Sequence, residues 1–177
     1  MKINRVWAMP TADTFDCAPM GELVRRYLHG VSVDPFARNK RWATYTNDLN
    51  PNTEAEFHMD AADFINKLRQ DGVSADVVIF DPPYSMNQVK ASYEGVGLKF
   101  GSEECWKAGR WTKEKDAAMG VIKMGGIFLH FGFNSVGMGA TRGFQEEELL
   151  IVTHGPGHYD TLCLVERKVA EQIEMAV

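Results

Sequence analysis

Apolar and polar positions divide the chain into alternating stretches of helical and strand period. In "APMGELVRRYLHG", Leu23, Val24, Tyr27 and Leu28 fall at helical spacing, with Pro19 near the first turn and Gly30 as the stop. A short strand, "VSV", follows and closes at Asp34 and Pro35. "ATYT" predicts a second strand, ended by "NDLNPN", and "EFHM" a third, ended by Asp60. "AADFINKLRQDG" has helical period, with Phe64, Ile65 and Leu68 on one face and Gly72 as its stop. "ADVVIF" is almost wholly apolar, as expected of a strand buried on both faces of a parallel sheet. "KEKDAAMGVIKM" predicts a helix, "GGIFLHFGF" a strand, and "GFQEEELLIVTH" a short helix running into a strand. The turn "GPGHYD" joins that strand to "YDTLCLVER", which gives an antiparallel hairpin. Residues 85–115 are polar, aromatic and without clear period, and a segment this long in a compact domain is usually functional.

Alternating strands and helices imply an α/β fold with a mostly parallel sheet and ligands outside the carboxyl ends of its strands. Asp34, Asp48, Asp60 and Asp81 each lie at or just past such an end. Acids favour turns for local reasons, but four in succession point to one shared crevice.

The last of these acids opens "DPPY". Two prolines fix the direction in which the chain leaves the sheet, and the residue before them stays extended. The Asp81 carboxylate and a backbone carbonyl are two acceptors, and Tyr84 is a flat ring. No nucleophile is present. Two acceptors suit an atom bearing two hydrogens, an exocyclic amine, and the ring suits a planar base.

The 177 residues, 45% apolar and 24% charged, fit one ordinary globular domain. No apolar run nears the roughly 20 residues of a membrane span, and "MKINRVWAMPTADTFD" lacks a secretory signal. Three scattered cysteines, Cys17, Cys105 and Cys163, argue for a reducing cytoplasm over a disulfide framework. A net charge of −5 excludes a basic footprint over the whole chain. Phosphate contacts would have to come from "ARNKRW" or from residues 90–115, where basic residues exceed acidic ones by only two.

With these residues in place, the chain resembles the small N6-adenine DNA methyltransferases of phages and prophages, which use S-adenosylmethionine. "DPPYS" looks like their catalytic motif, and "ADTFDCAPMGELVRRYL", "VDPFARN", "TNDLNPN" and "HMDAADFI" like their cofactor motifs. The resemblance implies a Rossmann-like methyltransferase fold with a mostly parallel seven-stranded sheet and a C-terminal antiparallel hairpin. It implies that Asp81, Pro82, Pro83 and Tyr84 are catalytic: carboxylate and carbonyl accept the two amine hydrogens while Tyr84 stacks on a flipped-out base. Thr14, Phe15, Asp34, Pro35, Phe36 and Ala37 would lie near the methionine part of S-adenosylmethionine. Asp48 would take the ribose hydroxyls, and Asp60 with Ala61 the cofactor's adenine, Asp60 also serving as a helix N-cap. The partner would be DNA, with RNA or cytosine N4 as alternatives and a non-catalytic cofactor-binding protein as the rival class. A monomer and a homodimer are both compatible with it.

The chain departs from that pattern at "DPFARN", which has no glycine-rich turn and carries Arg38 where a small residue would be comfortable. Only about eight residues separate Asp34 from Ala43, fewer than the dozen of a helical crossover, so the first crossover helix is expected to shrink to about one turn. No separate recognition domain is expected in this sequence. Residues 86–115 are the expected substrate-recognition segment, with Ser85, Gln88, Lys90, Tyr93, Trp106, Arg110 and Trp111 as candidates and Asn134, in the loop "GFNSVGMG", beside them. His154 and His158 are read as turn residues, since glycines and a proline between them exclude a shared helix face, and no metal is expected.

Overall fold

The computed structural model describes residues 1–101 and 110–171. Seven strands form one sheet: β1 (Lys2–Trp7), β2 (Ser32–Asp34), β3 (Tyr45–Thr46), β4 (Ala75–Phe80), β5 (Ile122–Gly132), β6 (Phe144–Thr153) and β7 (Thr161–Lys168). Their order is β1-β6-β7-β5-β4-β2-β3. Only β7 runs against its neighbours, so the other six strands end at the same edge. This is the expected α/β fold with its closing hairpin.

Strand β4 shows why the edge is well fixed. Its side chains alternate between two apolar layers. Val77 and Ile79 pack with Leu23 and Val24 of α1 (Ala18–Tyr27), and Val78 and Phe80 with Phe64, Ile65 and Leu68 of α2 (Ala61–Gln70). Ala117, Ala118 and Val121 of α4 (Thr112–Val121) complete the second layer. With both faces covered, a one-residue slip would exchange the two layers wholesale, so Asp81 is held at a definite height.

The structure departs from the sequence-based elements at five places. Strand β1 was not predicted. It is an edge strand in which Ile3 and Trp7 face outward, so apolar and polar positions do not alternate cleanly. "EFHM" is no strand and keeps a single bridge, Asn47 to Phe57. The Asn47 side chain takes the Met59 N–H and C=O that a ladder would have used. "GFQEEELL" is strand from Phe144 onward, because cross-strand and tertiary partners outweigh the helical propensity of its glutamates. Arg167 pairs Glu147, and Glu148 is buried among Asn4, Arg26 and Tyr27. The first crossover has no helix at all, only turns between Asp34 and Thr44. Finally, α3 (Met86–Gly95) occupies a stretch that shows no period. Only Val89 is fully buried there, so there is no apolar stripe to read, although Ser85 and Gln88 form a capping box.

A candidate active site at the carboxyl edge of the sheet

A cleft of about 510 Å³ opens over the ends of β2, β3 and β4. Of the residues predicted for the site, Thr14, Pro35, Phe36, Asp48, Asp60, Ala61, Asp81, Pro82, Pro83, Tyr84, Gln88, Tyr93 and Trp111 line it. The three acids Asp48, Asp60 and Asp81 thus share one crevice, and Asp34 lies buried beside it.

Asp34 accepts the Phe36 N–H with one oxygen, while the other is buried without a partner. Burial pushes its carboxyl well above the ordinary range, and the charges of Asp81 and Asp48 push it further. Burial likewise raises Asp81 to about 6, although hydrogen bonds from Tyr84 and Thr14 and the nearby Arg38 pull it down. The Tyr84 hydroxyl donates to Asp81 Oδ1. That bond orients the carboxylate and leaves its second oxygen directed elsewhere, a role that ring stacking alone does not suggest. The Tyr84 hydroxyl is itself held far from ionising by burial and by the Asp81 charge.

Several residues serve the site differently from expectation. Phe15 is core, packed on Trp42 and Phe131. Ala37 is buried, and its N–H donates to Asn47 O. Gln88 is exposed, yet its Oε1 accepts the N–H of Tyr84 at 2.8 Å and of Ser85 at 3.0 Å, and so ties the turn after Asp81 to α3. Ser85 is the N-cap of that helix. The Tyr93 hydroxyl donates to Asp60 Oδ2 at 2.9 Å, inside the cleft. Trp111 is 4% exposed and packs on Phe36 and Phe80, so it is a wall of the cleft. Lys90 pairs loosely with Glu94 along the exposed side of α3, and Arg110 is exposed outside the cleft lining. Asn134 lines a second, much smaller cavity of about 10 Å³ beyond Pro82, Pro83 and Tyr84, with His130 and Phe133. Trp106 lies outside the described residues.

Two residues, Asn47 and Arg38, shape the site in ways that the sequence does not convey. Asn47 is fully buried, and its side chain bonds Pro35 O, Met59 O and Met59 N at 3.0–3.1 Å, tying the loop after β2 to the segment before α2. A hydrophilic run such as "TNDLNPN" gives no sign of that burial. Arg38 is left-handed, with φ 51, at the position where a glycine would be at ease. Its guanidinium reaches Asp13 and Ala12 O, and its N–H donates to Asp48. Lys40 is taken by Asp16 and Asp13, so "ARNKRW" is largely neutralised by its own neighbours.

His154 is buried in the hairpin turn, bonded to Ala8 O and Thr161, as the turn reading anticipates. Among the described residues no group of three or more potential metal ligands occurs, and no helix is long and apolar enough to cross a membrane.

No family model and no curated protein matches the chain. Solved structures do. NSun6 from Pyrococcus horikoshii, solved with SFG, is 14% identical and superposes with a TM-score of 0.53, covering 80% of this chain and 48% of that one. TrmN from Thermus thermophilus is 14% identical with a TM-score of 0.54, covering 84% and 48%. A protein from Streptococcus mutans assigned as a SAM-dependent methyltransferase is 13% identical with a TM-score of 0.53, covering 82% and 46%. The chain spans about half the length of these structures. At these identities the likeness is one of fold, and the fold is the Rossmann-like one of methyltransferases.

Proposed function

We propose that the chain is an S-adenosylmethionine-dependent methyltransferase acting on the exocyclic N6 amino group of adenine in DNA, of the small type known from phages. The observation that carries the reading is Asp81, with its oriented carboxylate, opening onto the same cleft as Asp48 and Asp60 at the ends of parallel strands. We read the chain as a single methyltransferase domain working in a cytoplasm.

The residues present suit the cofactor chemically. Asp34, Asp48 and Asp81 are close enough that their charges raise Asp34 together, and one Asp34 oxygen is an orphaned buried acceptor. A crowd of carboxylates in a low-dielectric crevice is relieved by a ligand that carries positive charge. Asp48 is the natural acceptor for ribose hydroxyls, and Asp60 for an adenine amine. When bound, S-adenosylmethionine supplies an electrophilic methyl group on a sulfonium.

What the chain itself contributes is positioning and directed electrostatics. The adenine amine is a poor nucleophile because its lone pair is delocalised into the ring. Asp81 and the Pro82 carbonyl accept its two hydrogens, which lets the nitrogen pyramidalise and localises the lone pair. Tyr84 and Thr14 keep the carboxylate in one orientation while it does so. Gln88 fixes the backbone of the turn. No covalent enzyme intermediate is needed.

Two outcomes follow for the isolated protein. Because Asp81 must be ionised to accept, kcat/KM should fall about tenfold per pH unit below about 6 and level off above it. A pH–rate profile flat from 5 to 8 would remove Asp81 from that role. Asp60→Ser should keep the N-cap oxygen that now accepts Ala62 N, and so preserve stability, while weakening cofactor binding about tenfold in calorimetry. Unchanged affinity would free Asp60 from the cofactor.

Transfer of labelled methyl from S-adenosylmethionine to unmethylated DNA, with RNA as the parallel substrate and Asp81→Ala as the control, tests the proposal. Label in DNA supports it, and label in RNA alone moves the substrate assignment. Cofactor binding without transfer to either would favour a non-catalytic binding protein.

A further inference from the structure

The aromatic ring of the catalytic turn is the first of a series. Phe133, just past the end of β5, meets Tyr84 edge-on with centroids 5.0 Å apart, and Tyr159, in the turn between β6 and β7, lies 5.1 Å beyond Phe133. Exposure rises along the row. Tyr84 is partly buried, Phe133 is 39% exposed and Tyr159 is 77% exposed. The row therefore leads from Asp81 outward over the hairpin end of the sheet, away from the cleft over β2 and β3. Trp7, 65% exposed at the end of β1, lies against Gly155 of the same turn. Large rings left in water so close together are exposed apolar surface of the kind that marks an interaction site.

The chemistry of the row favours one occupant. The stretches that carry it, residues 82–85, 132–136 and 154–160, contain no Lys or Arg, and the whole chain carries a charge of −5. In a duplex the base faces are covered by their stacked neighbours and are not open to a side-chain ring. Unpaired bases can stack on exposed rings with little dependence on sequence. Resting on the methyltransferase reading of Asp81 and Tyr84, we propose that Phe133 and Tyr159 form a stacking rail for the unpaired nucleotides that flank the target base, so that the substrate is a single strand. The rail would take DNA and RNA strands through the same base faces.

The test is fluorescence anisotropy with a labelled 12-nucleotide strand as DNA, as RNA and as a DNA duplex, at saturating S-adenosylmethionine, with cofactor binding measured in parallel. Wild type should prefer single strands to duplex. Tyr159→Ala should weaken single-strand binding about tenfold without changing the salt slope, and Tyr159→Trp should restore it. Tyr159 is mostly in water, so its replacement should leave the fold intact. The rail is overturned if Tyr159→Ala and Phe133→Leu both bind as wild type, or if duplex binds more tightly than single strand. It is also overturned if sedimentation shows a homodimer that Tyr159→Ala dissociates. A chain that binds S-adenosylmethionine but no strand would sink the rail and leave the methyltransferase reading standing. Strand binding through Tyr159 without cofactor binding would do the reverse.

Discussion

Replacing Asp81 by Asn should slow methyl transfer by about 10²–10³-fold and at the same time stabilise the protein. The amide keeps the shape of the carboxylate and can still accept the Tyr84 hydroxyl, so the turn should not rearrange. It lacks the charge that draws the amine hydrogens, and loss of one such directed interaction costs about 10²–10³-fold in rate. The stability gain follows from the titration of the group. Asp81 is raised from 3.8 to about 6 by burial, so the folded state holds the ionised form less well than the unfolded chain does. Ionised Asp81 thus opposes folding fully above about pH 6, and that opposition fades as the pH falls through this range toward 3.8. Asp81→Asn should therefore gain about 1–2 kcal/mol at pH 7.5, less than the full shift implies because the carboxyl is partly open to the cleft. The gain should vanish near pH 4. Urea melts of both proteins at the two pH values measure it. A variant that is inactive and also less stable at pH 7.5 would mean that Asp81 is a structural acid.

Asn47→Ala should act in the opposite sense on stability. The change leaves Pro35 O, Met59 O and Met59 N without their partner in a buried place. Leaving such groups unsatisfied costs about 1–3 kcal/mol apiece where they stay dry, and some relaxation toward the cleft is available, so a loss of about 3 kcal/mol is expected. Because these bonds set the spacing between the Asp34–Phe36 loop and Asp60, cofactor affinity should fall by about tenfold or more even where the protein remains folded. Asn47→Asp should lose the two donor bonds yet keep the Met59 N–H, and fall between wild type and Asn47→Ala. Denaturant melts and cofactor titrations at low temperature separate the two effects. A stable Asn47→Ala protein with wild-type affinity would show that the loops hold their spacing without the side chain.

These two residues also mark what the sequence could and could not convey. Asp81 was legible because its signal is local: an apolar strand, an acid and two prolines are contiguous, and the strand's burial on both faces holds the acid at the sheet edge. Asp48 and Asp60 were legible for the same reason, as acids at successive breaks in the pattern. Asn47 was not, since one asparagine in a polar run looks like its neighbours until tertiary contacts bury it. Tyr93 and Trp111 were read as surface aromatics because their segment shows no period. Tyr93 lines the cleft because the Ser85–Gln88 capping box starts a helix right after the Pro82–Tyr84 turn, and Trp111 lines it through its packing on Phe36 and Phe80. Strand β1 was hidden by its position at the edge, where Ile3 and Trp7 point to solvent. The missing first helix was foreshadowed by chain length, and Arg38 shows the means. A left-handed arginine, held by Asp13 and by Ala12 O, turns the chain where a glycine-rich loop would otherwise do so.

The most direct measurement is nucleoside-resolved mass spectrometry of unmethylated single-stranded DNA incubated with the protein and S-adenosylmethionine. The account predicts N6-methyladenine from wild type and a rate about 10²–10³-fold lower from Asp81→Asn, with cofactor binding equal in both. Methylation at cytosine, methylation of RNA alone, or equal N6-methyladenine from both proteins would contradict it.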